Sequence, residues 1–218
     1  MKNLGYIISD TSGLIPVVAG IYFFKSLNAG RRWILYFFIL TVYVEFSNAW
    51  MASRGIHNLW QINVYTLAEF SFYIFILKSW VGGAFMRWLS IVGYVLFYGI
   101  WLSYIIPHET LDTDTGAAGI AESIVIMLSA AYVLGTLSIA TEYPVLRNYK
   151  FWFAGVAFIY FSVNILLNYI FVLIIQNNPA YDLSIWNIHS VVNIITNILY
   201  ANVFYLSEES TLKSRTAH

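Results

Sequence analysis

Seven apolar stretches of roughly 19 to 25 residues follow one another along the 218-residue chain, at Tyr6–Phe24, Trp33–Ala52, Leu59–Leu77, Phe85–Ile106, Ala117–Ala140, Phe151–Ile175 and Ile185–Leu206. At about 1.5 Å of rise per residue, each is long enough to cross a hydrocarbon layer about 30 Å thick, where a helix satisfies its own backbone hydrogen bonds. Only 10% of the residues are charged and 60% are hydrophobic, too much apolar surface for water to surround. The expectation is an all-α polytopic membrane protein, a single domain of seven transmembrane helices over residues 1–218.

The breaks between stretches are chemically sensible. Asn28, Gly30, Arg31 and Arg32 end the first crossing, Gly82 and Gly83 form a turn after the third, and Pro144 sits in the fifth connection. The longest loop, between Pro107 and Gly116, carries Glu109, Asp112 and Asp114, and a turn from Gln176 to Asp182 separates the last two stretches. Lys2 before the first stretch resembles the start of a signal peptide. Apolar segments continue to the end without a cleavage site and a soluble mature chain, so that stretch reads as a retained helix.

Cationic residues set the expected orientation. Lys25, Arg31, Arg32, Lys78, Arg87, Arg147, Lys150, Lys213 and Arg215 fall on one side of a seven-crossing plan, and only Lys2 and Arg54 on the other. The positive-inside rule then puts the N-terminus outside and the C-terminus in the cytoplasm, fitting a bacterial plasma (inner) membrane with its lipids as the first partners. Scattered cations leave no basic face for nucleic acid, and the lack of Cys excludes disulfides, iron–sulfur clusters and thiol catalysis. Trp33, Trp60, Trp80, Trp88, Trp101, Trp152 and Trp186 fall near segment ends, where indoles anchor at headgroup depth.

A faint duplication is legible. Trp33 precedes Glu45 by the twelve residues that separate Trp152 from Asn164, and Trp60 precedes Asn63 as Trp186 precedes His189, by three. This points to a three-plus-one-plus-three plan, with residues 1–80 and 117–206 as parallel repeats around the helix 85–106.

Polar side chains inside the apolar stretches carry the functional reading, because ionisable groups in hydrocarbon are costly and are kept for a task. Gln61, Tyr65, Glu69 and Tyr73 recur every four residues on one helical face, as do His189, Asn193 and Asn197, and Tyr160, Asn164 and Asn168. Glu45 and Asn48 lie in the second stretch, Glu122 in the fifth and Asp10 early in the first. We expect an outward-facing polar cavity with Glu45 and Glu69 at its floor and His189, Asn193, Asn164 and Asn168 along its walls. Tyr65 and Glu122 complete the candidate ligand-binding or proton-coupling set. Asn and Tyr at helical spacing also glue helices together, and that alternative stands beside the first.

These residues point to transport of a small solute, coupled to protons through Glu69 or Glu45. A receptor-like or accessory sensory module acting through a protein partner is the alternative, since the loops and the Ser207–His218 tail are too short for an output domain. A third reading, an intramembrane metal-dependent hydrolase, would draw on Glu45, Glu69, Glu122 and His189, although no HxxxH or HExxH motif is present. The sequence names no cofactor or metal. Gly116, Ala117, Ala118, Gly119, Ala130 and Ala131 suit close helix packing or a homo-oligomer surface. In helix count the chain resembles rhodopsins, but no Lys between Ile185 and Leu206 could form a Schiff base; sugar and amino-acid carriers are similar in count, but their Pro–Gln pair is missing.

Overall fold

The structure is a computed structural model that describes residues 8–9, 11–108, 111, 116–140, 145–170 and 182–206. Within them the chain forms seven α-helices: α1 (Leu14–Tyr22), α2 (Ala29–Ser53), α3 (Leu59–Trp80), α4 (Ala84–His108), α5 (Gly116–Ala140), α6 (Tyr149–Ile170) and α7 (Asp182–Tyr205). Short 3-10 turns at Phe24–Ser26 and Val145–Arg147 lead into α2 and α6. Asp10, the acidic residues of the long loop, Pro144, residues 176–181 of the turn expected from Gln176 to Asp182 and the tail from Ser207 lie outside the described residues.

The expectation of seven transmembrane helices is not upheld. Among the described residues four helices are long and apolar enough to cross a membrane: α2, α4 over Ala84–Pro107, α5 over Gly116–Ile139, and α6. The continuous helix of α1 has only nine residues. α3 and α7 have the length, but Gln61, Asn63 and Glu69 in one, and Asn187, His189, Asn193, Asn197 and Asn202 in the other, dilute their apolar character. A charge tally over seven crossings therefore no longer fixes the side on which either terminus lies. Four apolar spans still make the chain a multi-pass α-helical integral membrane protein.

Side-chain chemistry explains where the helices begin and turn. The Asn28 side chain caps α2 by accepting from the Arg31 backbone N–H at 2.9 Å, satisfying one of the donors a helix start leaves open. Gly55 and Gly83 take positive φ (68° and 126°) at the turns into α3 and α4, a region other residues enter only with strain. Pro107 sits inside the last turn of α4, and Pro16 lies within α1.

Neighbouring helices run α1, α2, α3, α5, α6, α7 and back to α1, closing a ring, with α4 packed against α3 and α5. α5 and α6 form the most extensive pair; the fully buried Ala118, Ala130, Ala154 and Ala157 on these two helices explain how they come so close. Gly20 against Leu35 and Gly93 against Val125 allow similar approaches of α1 to α2 and α4 to α5. Large apolar side chains point outward from α4, among them Ile91, Val95 and Leu96, as a lipid-facing surface requires. α7 divides its faces: Ile188, Val191, Ile195 and Ile198 are exposed, while Ser190, Thr196 and Asn197 are buried.

One end of the ring is fastened by Arg31, which is only 4% exposed. Its guanidinium donates to the carbonyls of Leu206, at the end of α7, and of Ser26, and lies 5.2 Å from the Tyr149 ring centroid. Arg31, expected in the connection after the first crossing, is thus an interior clamp. Toward the other end Asn197 Nδ2 donates to Ser12 Oγ (2.9 Å) and Asn193 Nδ2 to Ser9 Oγ (3.1 Å), tying α7 to the segment before α1. Of the indoles expected near segment ends, Trp33 and Trp88 are exposed, Trp101 is buried, and Trp80 packs edge-on against Tyr149 and Phe153.

Candidate functional site

The polar face of α3 is used along its whole length. Gln61 accepts from Ser47 Oγ at 3.0 Å, Tyr65 pairs with Thr41 at 2.8 Å, and Tyr73 pairs with Tyr200 at 2.9 Å. The first two bonds set the antiparallel register of α3 on α2; the third joins α3 to α7. Between them α2, α3, α6 and α7 enclose a pocket of about 150 Å³.

Aromatic rings close this pocket at one end. Phe37 and Phe38 of α2, Tyr73 of α3 and Tyr200 of α7 line it there, backed by Phe153 and Phe161 of α6. Ring centroids stand 4.9 Å apart for Phe38 and Tyr200, 5.0 Å for Tyr73 and Phe161, and 5.6 Å for Phe153 and Tyr200, in the range that favours aromatic packing. From this floor the pocket rises roughly 16 Å along α2, by helical rise, to Asn48. Glu45 and Glu69 face it from α2 and α3, about 12 and 15 Å from the far ends of their helices.

Tyr65 ties Glu69 to α2. Its hydroxyl is hydrogen-bonded to the Glu69 carboxyl one turn on and to Thr41 Oγ1, which lies 3.1 Å from the Phe37 carbonyl. Each hydroxyl has one proton to give. With Glu69 ionised, Tyr65 donates to the carboxylate and Thr41 donates to Tyr65. With Glu69 protonated, the order reverses: Glu69 donates to Tyr65, Tyr65 to Thr41, and Thr41 to the Phe37 carbonyl. The same heavy-atom positions thus accommodate either state of Glu69, with no buried hydroxyl proton left unpaired.

Of the eight residues in the candidate ligand-binding or proton-coupling set, the structure brings Glu45, Glu69, Tyr65 and Asn193 to this pocket. It does not bring the others to the wall. Asn164 is hydrogen-bonded to Tyr160, which does line the pocket, and Asn168 sits a further turn along α6. The His189 ring centroid is 6.3 Å from that of Tyr160, one turn beyond Asn193. Glu122 is buried in α5 within electrostatic reach of Glu69, and its Oε1 has no hydrogen-bond partner among the described residues. No group of three or more His, Asp or Glu that could hold a metal ion occurs among the described residues, so Glu45, Glu69, Glu122 and His189 do not assemble the site a metallohydrolase would need.

Other lining residues escaped the spacing argument. Thr41 lies one turn before Glu45, and Thr196 adjoins Asn197; extending the four-residue pattern upstream from Glu45 would have found the first. Asn48, Tyr160, Asn197, Tyr73 and Tyr200 also line the pocket, although sequence reasoning placed none of them among the ligand-binding residues.

The fold defines a class, the multi-pass α-helical membrane protein with a small pocket in its helical ring. Comparison with protein-family models, curated protein sequences and solved structures finds no match to the chain.

Proposed function

We propose that the chain binds a small solute in this pocket and carries it across the membrane with proton coupling through Glu69 and Glu45. The observation that carries the reading is the pairing of these carboxyls, from adjacent helices, on one pocket, with the Thr41–Tyr65 relay able to serve either state of Glu69. Helix glue alone needs hydrogen-bonded amides and hydroxyls, not acids on an internal cavity. Asn193 faces the ligand from α7 together with Thr196, Asn197 and Tyr200, while His189, Asn164, Asn168 and Glu122 act from behind the wall by setting the positions and field of Tyr160 and Glu69.

The order of helix neighbours supports a duplicated plan. Exchanging α1 with α5, α2 with α6 and α3 with α7 leaves the ring order unchanged, and Tyr73 meets Tyr200 across the ring, between the two halves. In parallel-repeat carriers the substrate sits between the halves, as this pocket does.

Reconstituted in liposomes with an imposed pH gradient, the protein is expected to dissipate the gradient on addition of its solute, and Glu69→Gln to abolish that response. Solute movement that persists unchanged in both Glu69→Gln and Glu45→Gln would refute the coupling; a solute that binds without moving would refute transport.

A further inference from the structure

We infer that the solute is a compact organic cation, an inference that rests on the pocket being a solute site. Two carboxyl-bearing residues line the pocket, and among the described residues no Lys, Arg or His does. Glu122 stands behind with a third. The interior cation Arg31 is held at the closed end by the Leu206 and Ser26 carbonyls. An anion would meet these acids with no counter-charge, whereas a cation would neutralise one of them.

The remaining lining narrows the kind of cation. Aromatic rings come from all four walls: Phe37 and Phe38 from α2, Tyr65 and Tyr73 from α3, Tyr160 from α6 and Tyr200 from α7. Such rings attract a diffuse alkylammonium through their quadrupoles while their bulk accepts its carbon atoms. A bare Mg²⁺ or Ca²⁺ instead demands a shell of about six or more oxygens, which this lining does not converge. Asn48 Oδ1 is buried without a hydrogen-bond partner among the described residues, and Asn48 lines the pocket, so an acceptor is available for an ammonium N–H. The volume near 150 Å³ equals that of about five waters, which limits the solute to a handful of heavy atoms. Cation and proton then compete for the same carboxyls: a cation entering the pocket sends one proton out, and no net charge accumulates between Glu45 and Glu69.

A near-isosteric series tests the charge without changing the shape. tert-Butylammonium, tert-butanol and pivalate are titrated by calorimetry into the full chain in lipid nanodiscs, beside Glu69→Gln and Asn48→Ala, with thermal unfolding reporting that both variants fold. tert-Butylammonium is expected to bind, to release protons detected by a pH dye, and to bind about tenfold more weakly in each variant. Binding of tert-butanol or pivalate, but not of the ammonium, with loss in Glu69→Gln would overturn the cation and leave the pocket as a solute site. Failure of all three probes would overturn the cation. A flux screen on the same preparation then separates the two ideas: movement of another solute, blocked by Glu69→Gln, preserves the pocket reading, and its absence removes that reading too.

Discussion

The hydroxyls of Tyr73 and Tyr200 meet at 2.9 Å at the closed end of the pocket and join α3 to α7. Both rings are buried among phenylalanines. Tyr73→Phe and Tyr200→Phe should each lower stability by about 1 kcal/mol, and the double variant by little more than either single one, since one bond is lost in every case. Strictly additive losses in a double-mutant cycle, measured by unfolding in mixed micelles, would count against the pair as a unit.

Tyr65→Phe removes the hydroxyl that links Glu69 to Thr41 while keeping the ring. A hydrogen bond to a charged group is worth about 1.5–3 kcal/mol, so proton-coupled flux should fall by about tenfold or more while solute binding changes less. Thr41→Val, which leaves Tyr65 in place, should have the smaller effect. Equal effects of the two variants on binding and flux would remove the relay.

Arg31→Met should leave the Leu206 and Ser26 carbonyls without their buried donor, at a cost of about 1–3 kcal/mol. Amide hydrogen exchange ought to accelerate over the last turn of α7 and stay unchanged at the Asn193 end. Arg31→Lys is expected to recover little, because an ammonium cannot reproduce the guanidinium fork. Uniform acceleration along α7 would mean the clamp is not local.

Gly93 packs so closely on Val125 that an added Cβ would lie 2.5 Å from Cγ1. Valine has little freedom in a helix, so Gly93→Ala should destabilise by about 1–3 kcal/mol, and Val125→Ala in the same chain should relieve it. A stable Gly93→Ala variant would show that α4 can shift away from α5 at no cost.

Spacing recovered the α3 face because Gln61, Tyr65, Glu69 and Tyr73 all meet partners on a face oriented by neighbouring helices. The same spacing on α6 does not carry Asn164 and Asn168 to the pocket wall. Steps of four overshoot a 3.6-residue turn and also climb about 6 Å each, so a series beginning at Tyr160 leaves the pocket by its second member. Thr41 was passed over because a helical threonine satisfies itself on its own backbone, here the Phe37 carbonyl, and gives no outward sign of a second partner. The number of helices was legible in the lengths of the apolar runs; the number fit to cross a membrane was not. Polar residues gathered on the inner face of α7 lower its average hydropathy, although its outer face carries Ile188, Val191, Ile195 and Ile198.

The joining of α7 to Ser9, Ser12 and Arg31 sets an order of events during biogenesis. Ser9, Ser12 and Arg31 leave the ribosome well before their partners Asn193, Asn197 and Leu206. Until then the early segments expose polar groups that the lipid cannot satisfy, so they need water, a chaperone or the insertion machinery beside them. A chain cut before α7 would therefore leave the segments around α1 and α6 both unsealed, and cellular quality control should recognise such a fragment by α1 as readily as by α6.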